Sequence, residues 1–148
     1  EELTGLPIEG YIGSDDESFK AMINYFGGTD VNVPEQIEYR GDDFTVILVK
    51  GRQNLKADSL FKYLRYLNTL GPRGKSLQAT ALADIIESII KPSNIGKTEK
   101  YFSKLSNTVE TNLSIVDYSQ SEEAIKSFMR NGIRKRYIVD SFVELNED

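Results

Sequence analysis

The run Phe44-Thr45-Val46-Ile47-Leu48-Val49 is the longest apolar stretch of this 148-residue chain, and Lys50-Gly51 follows it at once. Its six residues suit a β-strand and fall far short of the roughly 18 apolar residues that a membrane-spanning helix needs. Because the run is rich in β-branched residues and nearly free of polar ones, it is typical of a strand covered on both faces. We therefore predict a buried central strand here, with the rest of the chain packed around it.

Helical patterns lie on both sides of this strand, where a capping residue precedes apolar residues spaced three or four positions apart. The first predicted helix begins at Ser14, with Glu17 completing a capping box, and ends at Gly27-Gly28 because glycine readily adopts the left-handed conformation. Four more helices are expected after the strand: residues 58–68 capped by Asp58, Ser76 to Pro92, about residues 97–109, and Ser119, boxed by Glu122, to Gly132.

The other predicted strands are short. They are apolar or alternating segments bounded by glycine or proline. They comprise Ile8–Ile12, the stretch with Val31 and Val33 before Pro34, and one or two strands in Tyr137–Val139 and Phe142–Val143.

Two polar segments are predicted to lack regular structure. Residues 35–43 are interpreted as a loop, and Gly71-Pro72-Arg73-Gly74 as a break between helices.

Strands interleaved with helices indicate α/β layering around one mostly buried sheet. We therefore predict a single domain over residues 1–148 with a small central sheet and about five helices.

The composition excludes several kinds of chemistry. Apolar residues at 39% and charged residues at 28% are typical of a folded globular domain. Cysteine and histidine are both absent, which removes disulfides, thiol nucleophiles, Ser–His catalysis and thiolate or imidazole metal sites. The net charge of −5 argues against a general nucleic-acid binder, because little of the surface could offset the phosphate charge.

The basic segment, residues 50–75, stands out against this acidic background. It holds seven Lys or Arg residues and one acid, so its local charge is +6 in a chain whose net charge is −5. Such clusters are usually solvated faces. The alternative is a local anion-binding site, and Arg73 and Lys75 precede a predicted helix start, where backbone N–H groups favour an anion. Both interpretations stay open.

Acidic and aromatic clusters have simpler interpretations. Asp15-Asp16-Glu17 lies at a helix start, where negative charge is favourable, and Asp42-Asp43 fits a solvated loop. Neither offers enough converging oxygen ligands, so no metal site is predicted in the chain. Tyr101, Phe102 and Phe128 have helical spacing, which favours core packing over a lipid slot.

Five segments, in order along the chain, resemble the second half of a domain of the LytR-CpsA-Psr family. They are Leu3-Thr4-Gly5-Leu6-Pro7-Ile8, Gly27–Pro34, Lys50–Leu55, Phe61–Tyr66 and Thr111-Asn112-Leu113-Ser114. The corresponding family patterns are Leu-x-Gly-Leu-Pro-Ile, Gly-Gly-Val-x-Val-x-Val-Pro, Gly-x-Gln-x-Leu, Ala-Leu-x-Tyr-x-Arg and Thr-Asn-Leu-Ser. Each pattern is weak alone, but five in the same order make a specific match over roughly residues 1–131.

The resemblance implies a three-layer α-β-α sandwich, present here as a partial domain, in the cell envelope outside the cytoplasmic membrane. Members of the family move a glycopolymer from a polyprenyl pyrophosphate carrier onto the cell wall. Their pocket holds the lipid in an apolar slot and the pyrophosphate on arginines, with a magnesium ion. The family's magnesium-binding aspartates and one arginine belong to the N-terminal half, so the resemblance implies no cofactor in this chain and Mg²⁺ for the complete domain.

Matched residue by residue, the family's pyrophosphate site is only partly present. Arg65 matches the first arginine of the motif Tyr-x-Arg-x-Arg, and Leu67 replaces the second. Gln78 stands where the family has glutamine, Leu77 replaces an arginine beside it, and Arg73 is one residue out of register with a further arginine. Arginine suits this role because its planar fork binds phosphate oxygens in pairs and stays charged. Arg65, Arg73 and Gln78 are therefore the candidate pyrophosphate-binding residues, and no catalytic residue is assigned.

The resemblance leaves more than one function open. The first is an envelope glycopolymer phosphotransferase whose parent protein is anchored in the membrane, and whose partners are a polyprenyl (pyro)phosphate-linked glycan and the cell wall. The alternative is a degenerate, non-catalytic binding or regulatory module, which the leucines at positions 67 and 77 favour. A ligand-free structural domain is a weaker third. Because the family's N-terminal half supplies neighbouring strands, a bare strand edge and a homo-oligomer are also expected.

Overall fold

A computed structural model describes residues 10–131. Strands and helices are interleaved, as predicted. In chain order the elements are β1 (Ile12–Gly13), α1 (Asp16–Tyr25), β2 (Thr29–Val33), β3 (Ile37–Arg40), β4 (Thr45–Leu48), β5 (Gly51–Leu55), α2 (Ala57–Asn68), α3 (Gly71–Ile89), a 3₁₀-helix (Pro92–Lys97), α4 (Thr98–Ser106), β6 (Glu110–Thr111) and α5 (Ile115–Asn131). The predicted strands between residues 137 and 143 lie outside the described residues.

The described strands form three antiparallel pairs: β1 with β6, β2 with β5, and β3 with β4. In the longest pair Val31 lies opposite Gln53 and Thr29 opposite Leu55. Five α-helices surround these small sheets, which confirms the predicted mixed α/β fold class with about five helices. No described helix is long and apolar enough to cross a membrane.

Strand β4 differs from the prediction of a strand covered on both faces. Val46 and Leu48 are buried, whereas Ile47 is 58% exposed and Val49, just beyond the strand, is 65% exposed. The strand packs one face against α2 and pairs along its edge with β3, so only alternate side chains reach the core. The prediction of two covered faces is therefore wrong.

Strand β3 lies in the segment that was predicted to be a loop, residues 35–43. Ile37 is buried and Tyr39 half-buried, while Glu38 and Arg40 are exposed and ion-paired at 3.0 Å between guanidinium and carboxylate. A strand with one solvated face carries polar residues at every second position. The alternation over four residues is too short to distinguish from loop composition, so the sequence interpretation was wrong here.

Four helices begin at positions other than those predicted from the sequence. The N-cap of α2 is Lys56, and the predicted cap Asp58 lies in the first turn. Helix α1 is capped by Asp15 rather than Ser14, with the Ser18 N–H donating to Asp15 Oδ1 at 2.7 Å. Helix α3 begins at Gly71 and includes Pro72 in its first turn. Proline is tolerated there because the N–H that it lacks would have no partner within the helix. Helix α5 begins at Ile115, four residues before the predicted cap.

The core lies between the β2–β5 sheet and helices α1, α2 and α3. Val31, Val33 and Leu60 are wholly buried, and Tyr63 and Leu67 are 1% exposed. Polar contacts fix α3 against β2, because the buried Asp84 carboxylate accepts the Asn32 N–H at 3.0 Å and the Thr29 and Ser88 hydroxyls lie 2.5 Å apart.

Helices α2 and α3 approach each other closely at Gly74. A Cβ atom at that position would lie 1.8 Å from the Leu67 carbonyl oxygen, so only glycine fits there. This crossing brings the first half of α3 beside the last turns of α2.

The 3₁₀-helix, α4 and α5 pack against one another as a second layer. The Thr98 and Tyr118 hydroxyls lie 2.7 Å apart, and the rings of Phe102 and Tyr118 are stacked with centroids 5.1 Å apart. Few backbone contacts join this layer to α1 and α3. The space between the two layers is the apolar cavity described next.

Candidate functional site

An apolar cavity of about 490 Å³ lies between α1 and α3 on one side and α4 and α5 on the other. Almost every wall atom belongs to an aliphatic or aromatic side chain. The α1 and α3 walls include Phe19, Met22, Ile23, Phe26, Ile85, Ile86 and Ile89, and the opposite walls include Tyr101, Phe102, Leu105, Tyr118, Ile125 and Met129.

Two of the three aromatic residues that were predicted to be core packing line this cavity instead. Tyr101 and Phe102 are half-buried and face the open space, while Phe128 is 50% exposed and is not part of the wall. Helical spacing shows which residues share a face but does not show whether the facing layer closes on them. The interpretation as core packing is therefore wrong for Phe128. It is incomplete for Tyr101 and Phe102, which contact the Phe26 and Tyr118 rings but also border the cavity.

A more open cleft of about 460 Å³ adjoins the apolar cavity, and Ser14 and Phe19 are part of both walls. The cleft is lined by the start of α1, the exposed side of α2 and one residue of α3. Among its walls are Asp15, Asp16, Phe61, Leu64, Arg65, Asn68 and Gln78. An apolar cavity thus opens beside a cleft of mixed character that contains two of the three candidate residues, Arg65 and Gln78.

Arg65 lies on the solvent-facing side of α2 and is held in place by two neighbours. Its guanidinium carbon is 4.6 Å from the centroid of the Phe44 ring, and its Nη2 is 3.8 Å from Asp43 Oδ2. The side chain is 46% exposed, so the ion pair is weak and the guanidinium can still donate hydrogen bonds to an anion in the cleft. The cation–π contact favours this orientation of the side chain.

Gln78, on α3, is hydrogen-bonded to α2 and so links two of the three helices that line the cleft. Its Nε2 donates to the Leu64 carbonyl oxygen at 2.9 Å, which leaves one amide hydrogen and the side-chain oxygen for other partners. The half-buried amide is therefore fixed in position before any ligand arrives.

Arg73 is not brought together with Arg65 and Gln78. It lies in the first turn of α3, and its guanidinium binds Glu35 Oε1 at 2.8 Å. Arg73 was expected to precede a helix that begins at Ser76 and to join Arg65 and Gln78 as a candidate pyrophosphate-binding residue. Because α3 begins at Gly71 instead, Arg73 lies outside the cleft walls.

The two leucines that replace family arginines have structural roles. Leu67 is 1% exposed within the core, and Leu77 packs against the same core from α3. An arginine at position 67 would place an unpaired charge in an apolar environment, which is costly. These positions cannot hold a phosphate in this chain.

The carboxylates in the cleft belong to the start of α1. The Ser18 N–H that Asp15 accepts holds the pKa of the Asp15 carboxyl below its usual value, and Asp16 lies in the first turn. The interpretation of the acidic trio as helix-terminal charge is confirmed. These acids also make the cleft less favourable for an anion on the α1 side than on the α2 side.

The residues between 10 and 131 do not fit a magnesium site. Within that range no group of three or more Asp, Glu, His or Cys side chains converges as a metal would require. Magnesium takes six oxygen ligands in near-octahedral geometry, usually including carboxylates.

Sequence reasoning missed Ser14 and Phe19 as the shared walls of the cavity and the cleft. Phe19 was predicted only as an apolar helix residue, and Ser14 as a cap. No local pattern marks either residue, because their position depends on how α1 packs against both α2 and α3.

Comparisons with known proteins agree on one family. The sequence model of the LytR_cpsA_psr family matches residues 1–144. The polyisoprenyl-teichoic acid–peptidoglycan teichoic acid transferase TagV of Bacillus subtilis is 31% identical over 123 residues, which cover 79% of this chain and 32% of that protein. The transferase of the same kind named TagU in Bacillus licheniformis is 30% identical over 121 residues, covering 79% of this chain and 38% of its own length.

A solved structure shows the same fold. The crystal structure of Bacillus subtilis TagV superposes with a TM-score of 0.66 at 28% identity, covering 86% of this chain and 50% of that one. The chain spans about a third of the length of the two curated relatives. Since the family model matches nearly all of its residues, the chain belongs to the LytR_cpsA_psr family.

Proposed function

We propose that this chain forms the carrier-binding part of an envelope glycopolymer transferase. The polyisoprenyl tail of the carrier occupies the apolar cavity between α1, α3, α4 and α5, and its phosphate group lies in the adjoining cleft against Arg65 and Gln78. The single observation that carries the proposal is the shared wall at Ser14 and Phe19, which joins an apolar cavity to a cleft that contains Arg65 and Gln78. An amphiphile with a hydrocarbon tail and an anionic head matches this arrangement.

The cavity is of a size and character that suit a hydrocarbon tail. Its volume of about 490 Å³ lies within the range of roughly 300–1,000 Å³ that is typical of small-molecule pockets. Transfer of apolar surface from water into such a cavity is favourable by about 25 cal/mol per Å². The printed names of the relatives TagV and TagU specify a polyisoprenyl-linked substrate, which supports the same class of ligand here.

Arg65 and Gln78 would act on the phosphate rather than on a proton. A guanidinium donates charge-assisted hydrogen bonds to phosphate oxygens, and the remaining Gln78 amide hydrogen can donate one more. In phosphotransfer an acceptor hydroxyl forms a bond to the phosphorus of the polymer phosphate and gives up its proton to solvent, while the P–O bond to the carrier phosphate breaks and the carrier phosphate leaves with the bonding electrons. A fixed positive group beside the leaving phosphate stabilises the transition state.

Transfer of a polymer to the cell wall, membrane anchoring and placement outside the cytoplasmic membrane are parts of the same proposal for the whole protein. They are supported by family membership and by the names of the two curated relatives.

Two exposed residues of α3 provide a matched test of the cavity. Ile86 is 44% exposed and lines the cavity, whereas Leu82, one turn earlier, is 45% exposed and does not. Ile86→Glu should weaken binding of geranylgeranyl phosphate by at least about tenfold in titration calorimetry, because a carboxylate would enter the apolar wall. Leu82→Glu should leave the affinity nearly unchanged. Equal affinities for the two variants would contradict the proposed lipid site.

The second candidate is a module that binds the carrier without catalysing transfer. The burial of Leu67 and the position of Arg73 outside the cleft favour it, because only one arginine remains beside the proposed phosphate. The two functions differ in a transfer assay with the complete protein. Binding of polyprenyl phosphate without transfer of a polyprenyl pyrophosphate-linked sugar would identify the binding module.

A further inference from the structure

A small polar pocket lies at the other end of the apolar cavity. It has a volume of about 210 Å³, and Phe26, Ile89 and Tyr101 belong to both the pocket and the cavity. Gln78 and Ile89 are eleven positions apart on α3, and an α-helix rises about 1.5 Å per residue. The pocket and the Arg65 cleft are therefore on the order of 15 Å apart along α3.

Two lysines against one aspartate, Asp30, give this pocket a net positive charge. Lys91 and Lys97 are exposed at its rim, at the two ends of the 3₁₀-helix segment. Neither makes an ion pair with a carboxylate within residues 10–131, whereas Arg65, Arg73 and Lys62 all do. Asp30 lies in the same pocket, but an ammonium group that makes no ion pair is available to bind an anion.

The remaining polar walls are held in place by their own hydrogen bonds. Asp30 Oδ1 accepts from Asn54 Nδ2 at 3.1 Å, and the buried Asn94 donates from Nδ2 to the Ile89 carbonyl at 2.9 Å. Gly28 has φ +94°, and a Cβ there would lie within 2.4 Å of the Asn54 amide oxygen. Only glycine therefore allows Asn54 to keep this position.

The pocket combines two kinds of group that together suit a sugar with one anionic substituent. The lysines match a phosphate or carboxylate, while the Asp30 carboxylate and Asn54 amide can accept and donate hydrogen bonds to hydroxyl groups. A simple inorganic anion would not use Asp30, whose charge would repel it.

We propose that this pocket, around Lys91, Lys97, Asp30 and Asn54, is a binding site for one sugar unit that carries a phosphate or carboxylate group. Its volume of about 210 Å³ is far above the roughly 10–15 Å³ that a single water needs and below the roughly 300 Å³ of a typical drug-sized pocket. A single sugar unit fits between these limits. The site is independent of Arg65 and goes beyond the proposed function.

The location of the site distinguishes its ligand from the polymer on the lipid carrier. A sugar attached to the carrier phosphate would lie at the Arg65 cleft, at the opposite end of the apolar cavity. The polar pocket therefore takes a different glycan, and both sites can be occupied together.

The experiment uses the complete chain and a ligand without a lipid, N-acetylglucosamine 1-phosphate, in titration calorimetry. Inorganic phosphate and uncharged N-acetylglucosamine serve as comparison ligands. Lys91→Ala/Lys97→Ala should weaken binding of the sugar phosphate by about tenfold or more, because two charge-assisted contacts are lost. The control Lys50→Ala/Lys100→Ala removes the same charge from exposed positions outside the pocket and should leave the affinity unchanged.

Asp30→Asn tests the hydroxyl contacts. It should weaken binding of the sugar phosphate and leave inorganic phosphate unchanged or tighter, because the variant removes a repulsive charge. The proposal is overturned if the sugar phosphate does not bind, if both double variants bind equally, or if inorganic phosphate binds as tightly as the sugar phosphate. None of these outcomes affects the lipid site, which is tested with geranylgeranyl phosphate.

Discussion

At the scale of single residues, the contacts of a charged side chain decide what else it can bind. Arg65 has a ring on one face and a carboxylate 3.8 Å away, and nearly half of its side chain is exposed. Arg73 has a carboxylate at 2.8 Å and lies outside the cleft. The two arginines, of which Arg65 matches the family motif and Arg73 is one residue out of register, thus occupy different environments.

We expect Arg65→Ala to weaken binding of geranylgeranyl phosphate by roughly tenfold, the factor that about 1.4 kcal/mol represents, because a charge-assisted hydrogen bond is lost. Binding of the uncharged alcohol geranylgeraniol should hardly change. Arg73→Ala is the control and should affect neither ligand. An equal loss for the phosphate and the alcohol would show that Arg65 does not contact the head group.

Tyr63 provides a pH-dependent test of the core. Burial, with a smaller effect from the charge of Asp84, raises the pKa of the Tyr63 phenol to about 12 from an ordinary value of 10.0. The folded state therefore keeps a proton that the unfolded state loses above pH 10. The contribution of Tyr63 to stability is complete below that pH and is lost as the pH rises towards 12.

Urea unfolding at pH 9 and pH 11 should measure this effect. The free energy of unfolding should fall more between these pH values in the unmodified chain than in Tyr63→Phe, which has no phenol to ionise. The difference between the two proteins removes the contribution of lysines that titrate in the same range. Identical losses in both would mean that Tyr63 ionises as freely in the folded state as in the unfolded one.

At the scale of secondary-structure elements, the start of α5 depends on a reciprocal pair. The Ser114 N–H donates to Asp117 Oδ2 at 2.7 Å, and the Asp117 N–H donates to Ser114 Oγ at 3.4 Å. This is a capping box. Hydrogen bonds from Ser114 hold the pKa of the Asp117 carboxyl below its usual value, so this contribution is present at neutral pH and lost as acid protonates Asp117.

Ser114→Ala should lower the free energy of unfolding at pH 7 by about 0.5–2 kcal/mol, the usual effect of losing a helix cap. NMR titration should also show the Asp117 pKa rising towards its ordinary value. Ser119→Ala is the matched control, because the Ser119 hydroxyl bonds the Ile115 carbonyl within the helix and alanine favours a helix interior. A larger loss at Ser119 than at Ser114 would support the helix start predicted from the sequence.

In the β3–β4 hairpin, the buried and the exposed side chains of β4 should contribute different amounts to the free energy of unfolding. Leu48 is 8% exposed and Ile47 58% exposed, although they are neighbours in one apolar run. Leu48→Ala should lower the free energy of unfolding by about 2–5 kcal/mol, because it leaves a cavity in the core. Ile47→Thr should stay within about 0.5 kcal/mol, since a β-branched residue is kept on an exposed face. Chemical denaturation of both variants checks this, and a large loss from Ile47→Thr would restore the prediction of two covered faces.

At the scale of the whole molecule, two packed layers enclose a cavity that neither layer forms alone. The core lies between β2, β5 and α1 to α3, and the layer of α4 and α5 meets it across apolar space. The edge-to-face contact of Phe26 with Tyr101 is one of the places where the layers touch. An apolar tail bound in the cavity would add contacts between the layers and should raise the melting temperature.

The 148-residue chain alone is expected not to catalyse polymer transfer. Residues 10–131 offer no metal cluster, the cleft holds one arginine, and the chain spans about a third of its curated relatives. Incubation with a polyprenyl pyrophosphate-linked sugar and Mg²⁺ should release no product above a buffer control, with Bacillus subtilis TagV as the positive control. Turnover by the chain itself would show that its own residues suffice.

Local signals in the sequence were sufficient for part of this structure. Five helices, the apolar stripes that face the core and the placement of Arg65 on the exposed side of α2 all follow from residue spacing along one element. Short strands with one solvated face could not be predicted from the sequence, because β3 alternates between buried and exposed side chains over only four residues. The predicted homo-oligomer stays a prediction.

The sequence by itself determined the family, the helix content and two of the residues that meet in the cleft, because helical periodicity and short motifs are properties of contiguous residues. Only the tertiary structure decided that Arg73 lies elsewhere, that Tyr101 and Phe102 line a cavity, and that polar groups lie at both of its ends. These features depend on which faces meet across long sequence separations, as where Gly28 lies against Asn54 and Gly74 against Leu67. Such contacts are set by packing of whole elements, which no local pattern encodes.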